Sequence, residues 1–291
     1  MQKPQALNAM AKEALVGAQN LHPLIARLQA QAQRNDISHE GVSVCWRQFG
    51  SGTPLVLLHG GHGSWLHWVR NIEALATQHT VYVADMPGYG DSGEIESGDL
   101  PALLRATLGS LHAMLGAQQS IDLAGFSFGG LVAAQLAAQR GFVRRLCLFG
   151  PAGHRSTRRP RGKLVNWKQA FKHGDAKTLA DQMRHNLAAH MLYHEVSIDA
   201  LAIQVHTASC VKTRFISKHV SRAGGLIEAL DAFQGPTLLA WGEHDITADP
   251  VPLLPTLCLG HAHRQGHIIQ GAGHWLQYEN AEAVNRLLLG S

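Results

Sequence analysis

The chain alternates short apolar runs with longer segments whose apolar residues recur at helical spacing. Seven runs predict strands, at residues 42–49, 54–58, 80–84, 121–124, 145–149, 236–241 and 267–270. Continuous apolar runs are typical of strands that are buried on both faces of a parallel sheet. Because helical segments separate most of these runs, the pattern predicts an α/β fold in which helices flank a mostly parallel sheet.

The alternation breaks between residues 152 and 230. This segment is polar and basic at first and then helical, with helices predicted over 166–172, 176–192 and 197–219. We therefore expect a helical cap at 152–230, inserted into a core that comprises 37–151 and 231–291.

Residues 1–36 are rich in Ala and Gln. Within them, Leu21, Leu24, Ile25 and Leu28 follow the spacing of one helix face. The segment is interpreted as an N-terminal helical extension, which packs either on the body of the protein or on another subunit of a homo-oligomer.

The composition is that of a globular protein, with 45% hydrophobic and 16% charged residues. The net charge of +4 arises in the stretch 155–163, which is interpreted as a solvated connector, with contact to an acidic partner as the alternative. The sequence has no nucleic-acid motif, no apolar stretch of membrane-spanning length and no signal-peptide pattern. We expect a cytoplasmic protein that binds neither nucleic acid nor membrane.

The cysteines and histidines do not predict a metal site. The four cysteines lack metal-type spacing and are interpreted as free thiols in a reducing compartment. His190 and His194 lie four residues apart on a predicted helix, but Glu195 follows the second histidine, so the zinc-protease pattern H-E-x-x-H is absent.

The strongest candidate for chemistry is Ser127, in the sequence Gly125-Phe126-Ser127-Phe128-Gly129. A buried strand precedes it and a helix follows, so Ser127 lies at a sharp strand-to-helix turn. Glycines two residues to either side remove the steric clash that such a turn creates. The hydroxyl then stands at a helix N-terminus, where free N–H groups favour developing negative charge.

A serine nucleophile needs a base and an orienting acid. His274 follows the last predicted strand and is the candidate base, and Asp245 follows the strand 236–241 and is the candidate acid. Asp85 and Asp91 are rivals for the acid, but they precede the serine. The carboxyl ends of parallel strands meet at one edge of a sheet, which would bring Ser127, Asp245 and His274 together.

An oxyanion intermediate also needs preformed hydrogen-bond donors. The N–H of Phe128, directly after the nucleophile, is one candidate. The second is the N–H of Gly61, in the glycine-rich loop after strand 54–58, and His62 is a weaker candidate.

In combination these motifs resemble those of the α/β-hydrolase superfamily over residues 40–291. The motifs are Leu57-Leu58-His59-Gly60-Gly61, the loop from Asp85 to Ser92, Gly125 to Gly129, Trp241 to Asp245, and Gly273-His274. The resemblance implies an eight-stranded sheet, a cap after the sixth strand, a structural role for Asp85, and a cofactor-free reaction through an acyl-enzyme.

Two hydrolase groups remain open. The tail from Gly273 to Glu279 resembles that of meta-cleavage-product hydrolases, which cut carbon–carbon bonds, but that group usually has Asn where this chain has Phe126 and often Cys where it has Ala272. The other group is the capped carboxylic esterases. A non-catalytic ligand receptor on the same fold is a further alternative. The substrate is expected to be a small molecule in each case.

The expected substrate-binding residues come from the same loops and from the cap. The resemblance suggests a cap arginine that binds a carboxylate, for which Arg214 is the candidate and Arg184 the rival. For the aromatic residues, burial in the core is the alternative. The full set of expected substrate-binding residues is Gly60, Trp65, Phe126, Arg214 and Trp275.

Overall fold

One eight-stranded sheet forms the centre of the molecule. The computed structural model describes residues 21–96 and 98–290. The strand order is β1-β2-β4-β3-β5-β6-β7-β8; β2 runs antiparallel to β1 and β4, and the other neighbours are parallel. The predicted mostly parallel α/β fold is confirmed. The strands are β1 Gln33–His39, β2 Val42–Phe49, β3 Thr53–Leu58, β4 His79–Asp85, β5 Ile121–Phe126, β6 Val143–Phe149, β7 Thr237–Gly242 and β8 Arg264–Ile269.

Helices cover both faces of the sheet. In addition there are 3₁₀ turns at Trp65–Trp68 and Glu195–Ser197. No described helix is long and apolar enough to cross a bilayer. The α-helices are α1 Pro23–Gln31, α2 Ile72–Leu75, α3 Leu100–Leu115, α4 Phe128–Arg140, α5 Lys168–His173, α6 Ala176–His190, α7 Ala200–Val211, α8 Val220–Ala223, α9 Leu226–Ala232, α10 Pro250–Cys258, α11 Leu276–Glu279 and α12 Ala281–Leu289.

The core consists of two apolar layers, one on each face of the sheet. Helices α3, α4, α9 and α10 contribute to one layer, and α1, α7, α11 and α12 contribute to the other. All six residues of β5 are buried, as a strand covered on both faces requires. The strand that leads to Ser127 is therefore held rigidly from both sides.

Helices α5 to α9 lie between β6 and β7 in the chain, within the segment where the strand pattern is interrupted. A small apolar cluster of Ala170, Leu179, Met183 and Cys210 joins α5, α6 and α7. The division of the chain into core and cap stays a prediction.

The described part of the N-terminal extension packs on the body of the protein. Ile25 and Leu28 of α1 are fully buried in the apolar layer that α12 also enters. Arg27 forms a two-pronged ion pair with Glu73, at 2.6 and 2.9 Å. The part of the predicted extension at residues 1–20 lies outside the described residues.

The prediction and the structure differ at three places. The prediction missed β1, because no residue of this edge strand is buried and its sequence lacks an apolar pattern. The sequence also predicts one helix from Ser64 to about Gln78, and the structure divides this segment into the turn Trp65–Trp68 and the short α2. The helix predicted over 197–219 ends at Val211, because the N–H groups of residues 214 and 215 both bond to the carbonyl of Gly88.

Candidate active site

Ser127 occupies the sharp turn between β5 and α4. Its backbone has φ 54° and ψ −116°, a left-handed conformation that a serine adopts only at a cost. The surrounding backbone fixes this turn, since the Ser127 N–H donates to Phe149 and the Ser127 carbonyl accepts from Gly130 and Ala152, all at 2.9 Å. A Cβ on Gly125 would overlap the Gly129 carbonyl, and one on Gly129 would overlap the His59 carbonyl. Only glycine fits at these two positions.

Ser127, His274 and Asp245 form a continuous chain of hydrogen bonds. His274 Nε2 lies 2.9 Å from Ser127 Oγ, and His274 Nδ1 lies 2.8 Å from Asp245 Oδ2. Because an ionised carboxylate only accepts, Nδ1 carries the proton that bonds to Asp245. Nε2 is then the unprotonated nitrogen, which can accept the proton of the Ser127 hydroxyl.

Asp245 is fully buried and is held as a carboxylate. Burial alone would raise the pKa of Asp245, but the charge and hydrogen bond of His274 and the donors of Thr247 keep this pKa below its usual value. The Thr247 N–H and hydroxyl both donate to Asp245 Oδ1, at 2.7 and 2.8 Å. Each carboxylate oxygen therefore has a fixed partner.

The two expected oxyanion donors lie beside the serine. Phe128 is the first residue of α4, where an N–H has no partner within the helix. The Gly61 N–H bonds to no group in the described part of the chain. A Cβ built on Gly61 would lie 3.7 Å from Phe128 Cβ, so the two backbones are neighbours. Gly61, His62 and Phe128 all line the same cavity as Ser127.

This cavity has a volume of about 450 Å³, and both Ser127 and His274 line it. Of the expected substrate-binding residues, only Phe126 lines the cavity, and its ring centre lies 5.0 Å from that of His274. Gly60 lies just behind the lining, where a Cβ would press on Phe126 and Ser127.

Trp65, Trp275 and Arg214 do not reach the cavity. Trp65 packs between Phe49 and the guanidinium of Arg47, and Trp275 stacks on Tyr278 at 4.2 Å. Both indoles are core residues, which was the alternative for these aromatic side chains.

The Arg214 guanidinium is bound elsewhere, to the Lys212, Gly90 and Ser92 carbonyls and the Glu94 carboxylate. Arg214 does not line the cavity, because its N–H bonds to the Gly88 carbonyl after the helix has ended, and its predicted role in substrate binding has no contact in this structure to support it. The rival Arg184 is exposed on α6 and does not line the cavity.

Asp85 lies in a buried network of hydrogen bonds, and the structural role that the family resemblance implies for it stays a prediction. Asp85 Oδ2 accepts from the Arg47 guanidinium at 2.9 Å, and Oδ1 accepts the Trp65 N–H at 2.8 Å. Arg47 also binds Asp91, to which Lys212 donates at 2.7 Å. Among the described residues, Cys45, Asp85 and Asp91 are the one group of three potential metal ligands, and these cations already neutralise it. His190 and His194 belong to no such group.

Sequence reasoning missed several histidines that line the cavity. Arg161 Nη1 lies 3.0 Å from His190 Nδ1, and the His190 ring lies 5.7 Å from that of His274. Burial, which disfavours the charged imidazole, lowers the pKa of His190 to about 3, and electrostatic interactions with His274 and Arg161 act in the same direction. Burial and Arg158 lower the pKa of His154 to about 4. The sequence drew attention to His190 only as a possible metal ligand, and no motif marks either His190 or His154 as part of a cavity lining.

The buried neutral histidines predict that the fold is acid-sensitive. His59, His67 and His154 have lowered pKa values, mainly through burial, whereas an unfolded histidine titrates near 6.5. At a pH between the lowered pKa of the folded state and the pKa near 6.5 of the unfolded state, the unfolded chain binds protons that the folded chain does not. The free energy of unfolding is therefore complete above about pH 6.5 and falls below it, by up to about 1.4 kcal/mol per pH unit for each such group.

Urea unfolding at pH 7.5, 6 and 5 measures this loss. His154→Gln should make the decline shallower, and His219→Gln, which removes an exposed histidine, should not. An unchanged free energy of unfolding from pH 7.5 to 5 would contradict the expectation.

Gly150 supports the Asp245–His274 pair. Its φ is +51°, and an added Cβ would lie 3.1 Å from Asp245 Oδ2 and 3.2 Å from His274 Nδ1. Gly150→Ala should reduce kcat about tenfold, because small displacements of catalytic groups are costly. Gly141→Ala is the matched control, since Gly141 has φ +65° but no atom within 4 Å of the added Cβ.

Both alanines should lower the free energy of unfolding by about 1–2 kcal/mol, because each has a left-handed backbone. Only the Gly150 variant should lose turnover. Equal kcat values for the two folded variants would show that Gly150 does not position the pair.

Comparison with known proteins identifies the family. A family model described as "alpha/beta hydrolase fold" matches residues 53–281. The dihydrolipoyllysine-residue acetyltransferase component of the acetoin cleaving system of Pseudomonas putida is 30% identical over 84% of this chain and 65% of its own length. The pimeloyl-[acyl-carrier protein] methyl ester esterase of Vibrio campbellii is 38% identical over 32% of this chain and 34% of its own length. The chain thus spans less than two thirds of the first relatives it matches.

Two further similarities extend over most of the chain. The 2-hydroxy-6-oxononadienedioate/2-hydroxy-6-oxononatrienedioate hydrolase 2 of Pseudomonas putida is 28% identical over 84% of this chain and 89% of its own length. The crystal structure of naproxen esterase from Bacillus subtilis superposes with a TM-score of 0.70 at 20% identity, covering 98% of this chain and 95% of that one. The family match, together with the topology of the sheet, shows that the chain belongs to the alpha/beta hydrolase fold family.

Proposed function

We propose that this protein is a cofactor-independent serine hydrolase that cleaves a small carboxylic ester or a related acyl substrate. The observation that supports this most strongly is the hydrogen-bonded chain Ser127–His274–Asp245, which opens into a cavity through Ser127 and His274. Either hydrogen bond alone would be weak evidence for catalysis. Together they connect a nucleophile to a base and the base to an orienting acid, which is the arrangement that serine catalysis needs.

The first half of the reaction forms an acyl-enzyme. Ser127 Oγ attacks the substrate carbonyl carbon while His274 Nε2 takes the hydroxyl proton. The carbonyl oxygen becomes an oxyanion that accepts from the N–H groups of Gly61 and Phe128. As the intermediate collapses, His274 returns the proton to the leaving alcohol, and Asp245 stabilises the transient imidazolium.

The second half releases the acid. His274, again neutral, removes a proton from a water molecule that attacks the acyl carbon. The oxyanion forms in the same place, and Ser127 leaves with the proton that His274 has taken. The enzyme returns to its starting state without any redox change.

Carbon–carbon bond hydrolysis is the second candidate. It is favoured by the similarity to the 2-hydroxy-6-oxononadienedioate hydrolase, which extends over most of both chains. Phe126 and Ala272 occupy positions where the resemblance leads us to expect Asn and Cys. A fully buried Phe126 offers no polar group to guide ketonisation of a dienol substrate.

Turnover of two substrates, compared side by side, tests the proposal. A short-chain p-nitrophenyl ester should be cleaved faster than a 2-hydroxy-6-oxo-dienoate, with Ser127→Ala as the inactive control. The reverse preference would assign the protein to the carbon–carbon hydrolases. Failure on both substrates, together with no labelling by a fluorophosphonate, would favour a non-catalytic receptor.

A further inference from the structure

Four cationic side chains line the candidate active-site cavity: Arg158, Arg161, Lys218 and Arg222. We call them the cationic cluster. Among residues 21–96 and 98–290, no aspartate or glutamate lines this cavity. All four residues are exposed as well as lining the cavity, which places them where the cavity meets solvent. The cavity entrance is therefore strongly positive.

No member of the cluster forms an ion pair with a carboxylate in the described part of the chain. Two other arginines of the basic run 155–163 do form ion pairs with carboxylates, outside the cavity. Arg155 pairs with Glu228 at 3.3 Å, and Arg159 pairs with Asp249 at 2.8 Å. The run is thus divided. Arg155 and Arg159 pair with carboxylates outside the cavity, whereas Arg158 and Arg161 line the cavity and form no ion pair with a described carboxylate.

The clustered charges repel one another. Burial lowers the pKa of Arg158, and the positive charges of Arg222 and Arg161 lower it further. Arg158 also lowers the pKa of His154 and His190, so its charge is felt on the His274 side of the cavity. The charge of the buried Asp245, which already binds His274, offsets part of this repulsion. An anion that enters from solvent would neutralise the positive charge that remains.

The interpretation of the run as a solvated connector, made from the sequence, stays a prediction, and the members of the run differ in whether they line the cavity or pair with a carboxylate. A randomly solvated run would not place its two unpaired arginines, together with a third arginine and a lysine from a distant segment, around the serine cavity. The position inside the cavity rim, rather than on a convex outer face, favours a small ligand over an acidic protein.

We propose that the substrate carries an anionic group, a carboxylate or a phosphate, which the cationic cluster binds while Ser127 acts on the ester. This inference rests on the proposed hydrolase function. The guanidinium groups of Arg158 and Arg222 would donate charge-assisted hydrogen bonds to the anion. The cluster would also attract the substrate into the cavity, an effect that salt screens.

Matched ester pairs test the preference. The acyl side is tested with p-nitrophenyl pentanoate against the mono-p-nitrophenyl ester of glutarate, which has the same carbon chain and one added carboxylate. The alcohol side is tested with phenyl butyrate against 4-carboxyphenyl butyrate. Wild-type protein should prefer the anionic member of at least one pair, and added salt should reduce that preference.

The double variant R158Q/R222Q should lose about tenfold or more in kcat/KM for the preferred anionic ester, with little change for its neutral partner. The control R155Q/R159Q also removes two positive charges, but from arginines that pair with carboxylates outside the cavity, and it should leave the ratio unchanged. An unaltered ratio in R158Q/R222Q, or no anionic preference in either pair, would overturn the proposal.

Binding measured without turnover separates failure of this inference from failure of the proposed function. Calorimetry with Ser127→Ala protein should show binding of glutarate or inorganic phosphate, and the two ligands distinguish carboxylate from phosphate recognition. Binding should be lost in the triple variant that combines Ser127→Ala with R158Q/R222Q. It should be kept in the triple variant that combines Ser127→Ala with R155Q/R159Q. Absence of binding of both anions to the Ser127→Ala protein would overturn the anion site.

Discussion

Replacing Ser127 with alanine should reduce turnover by roughly 10³- to 10⁶-fold and leave the fold unchanged. The Oγ that His274 Nε2 contacts at 2.9 Å is the reacting atom, and no other hydroxyl bonds to that nitrogen among the described residues. Alanine retains the Cβ, so the strained φ of 54° costs about as much as it does with serine. The free energy of unfolding should change little.

Initial rates with the preferred ester, together with urea unfolding of both proteins, measure these two expectations. Ser120→Ala is the matched control, because Ser120 immediately precedes β5 and so lies at the opposite end of that strand from Ser127. It should keep wild-type turnover. Wild-type turnover in Ser127→Ala would remove Ser127 from the mechanism.

Replacing Asp245 with asparagine should reduce kcat on the order of 10⁴-fold, as for the corresponding acid in serine proteases. The Thr247 N–H and hydroxyl both donate to Oδ1, so the asparagine oxygen is held at that position. Its NH₂ group must then face His274 Nδ1 and donate to it. The imidazole proton moves to Nε2, which can no longer accept the proton of Ser127.

Asp85→Asn distinguishes catalytic from structural loss. It weakens the contact with the buried Arg47, which keeps Asp91 as a partner, and should lower the free energy of unfolding by about 1.5–3 kcal/mol. Turnover per folded molecule should stay within a few-fold of wild type. A greater loss of kcat in folded Asp85→Asn than in Asp245→Asn would identify Asp85 as the catalytic acid.

The nucleophile turn could be predicted because its determinants are local. A buried strand, a glycine on each side of Ser127 and a following helix lie within about twenty residues, and the structure shows that each glycine is required sterically. The approach of His274 and Asp245 to Ser127 followed from strand order, because parallel strands end at the same edge of the sheet. Their catalytic roles stay predictions until the variants are measured.

The cavity lining could not be predicted, because it depends on how irregular segments pack. Arg158 and Arg159 are adjacent in the chain, yet one lines the cavity and the other pairs with Asp249 outside it. No periodicity applies between β6 and α5, so the sequence does not tell which arginine faces inward. Arg214 was misplaced for a related reason, since contact with Gly88 ends the predicted helix.

Aromatic residues near a motif proved to be a weak guide to substrate contact. Trp65 and Trp275 follow the glycine-rich loop and His274 directly, but both indoles are buried in the core. Trp167, which no motif marks, lines the cavity instead. The preference of large aromatic side chains for burial outweighed their closeness to the motifs in sequence.

The most direct test of the central claim is to locate the covalent adduct that a fluorophosphonate forms with the wild-type protein. Peptide mass spectrometry after labelling should find one modified residue, Ser127. Labelling should be absent in Ser127→Ala and much slower in Asp245→Asn, in which His274 cannot accept the proton. A modified residue elsewhere, or an unlabelled protein that still hydrolyses esters, would contradict the assignment of Ser127 as a nucleophile activated by His274.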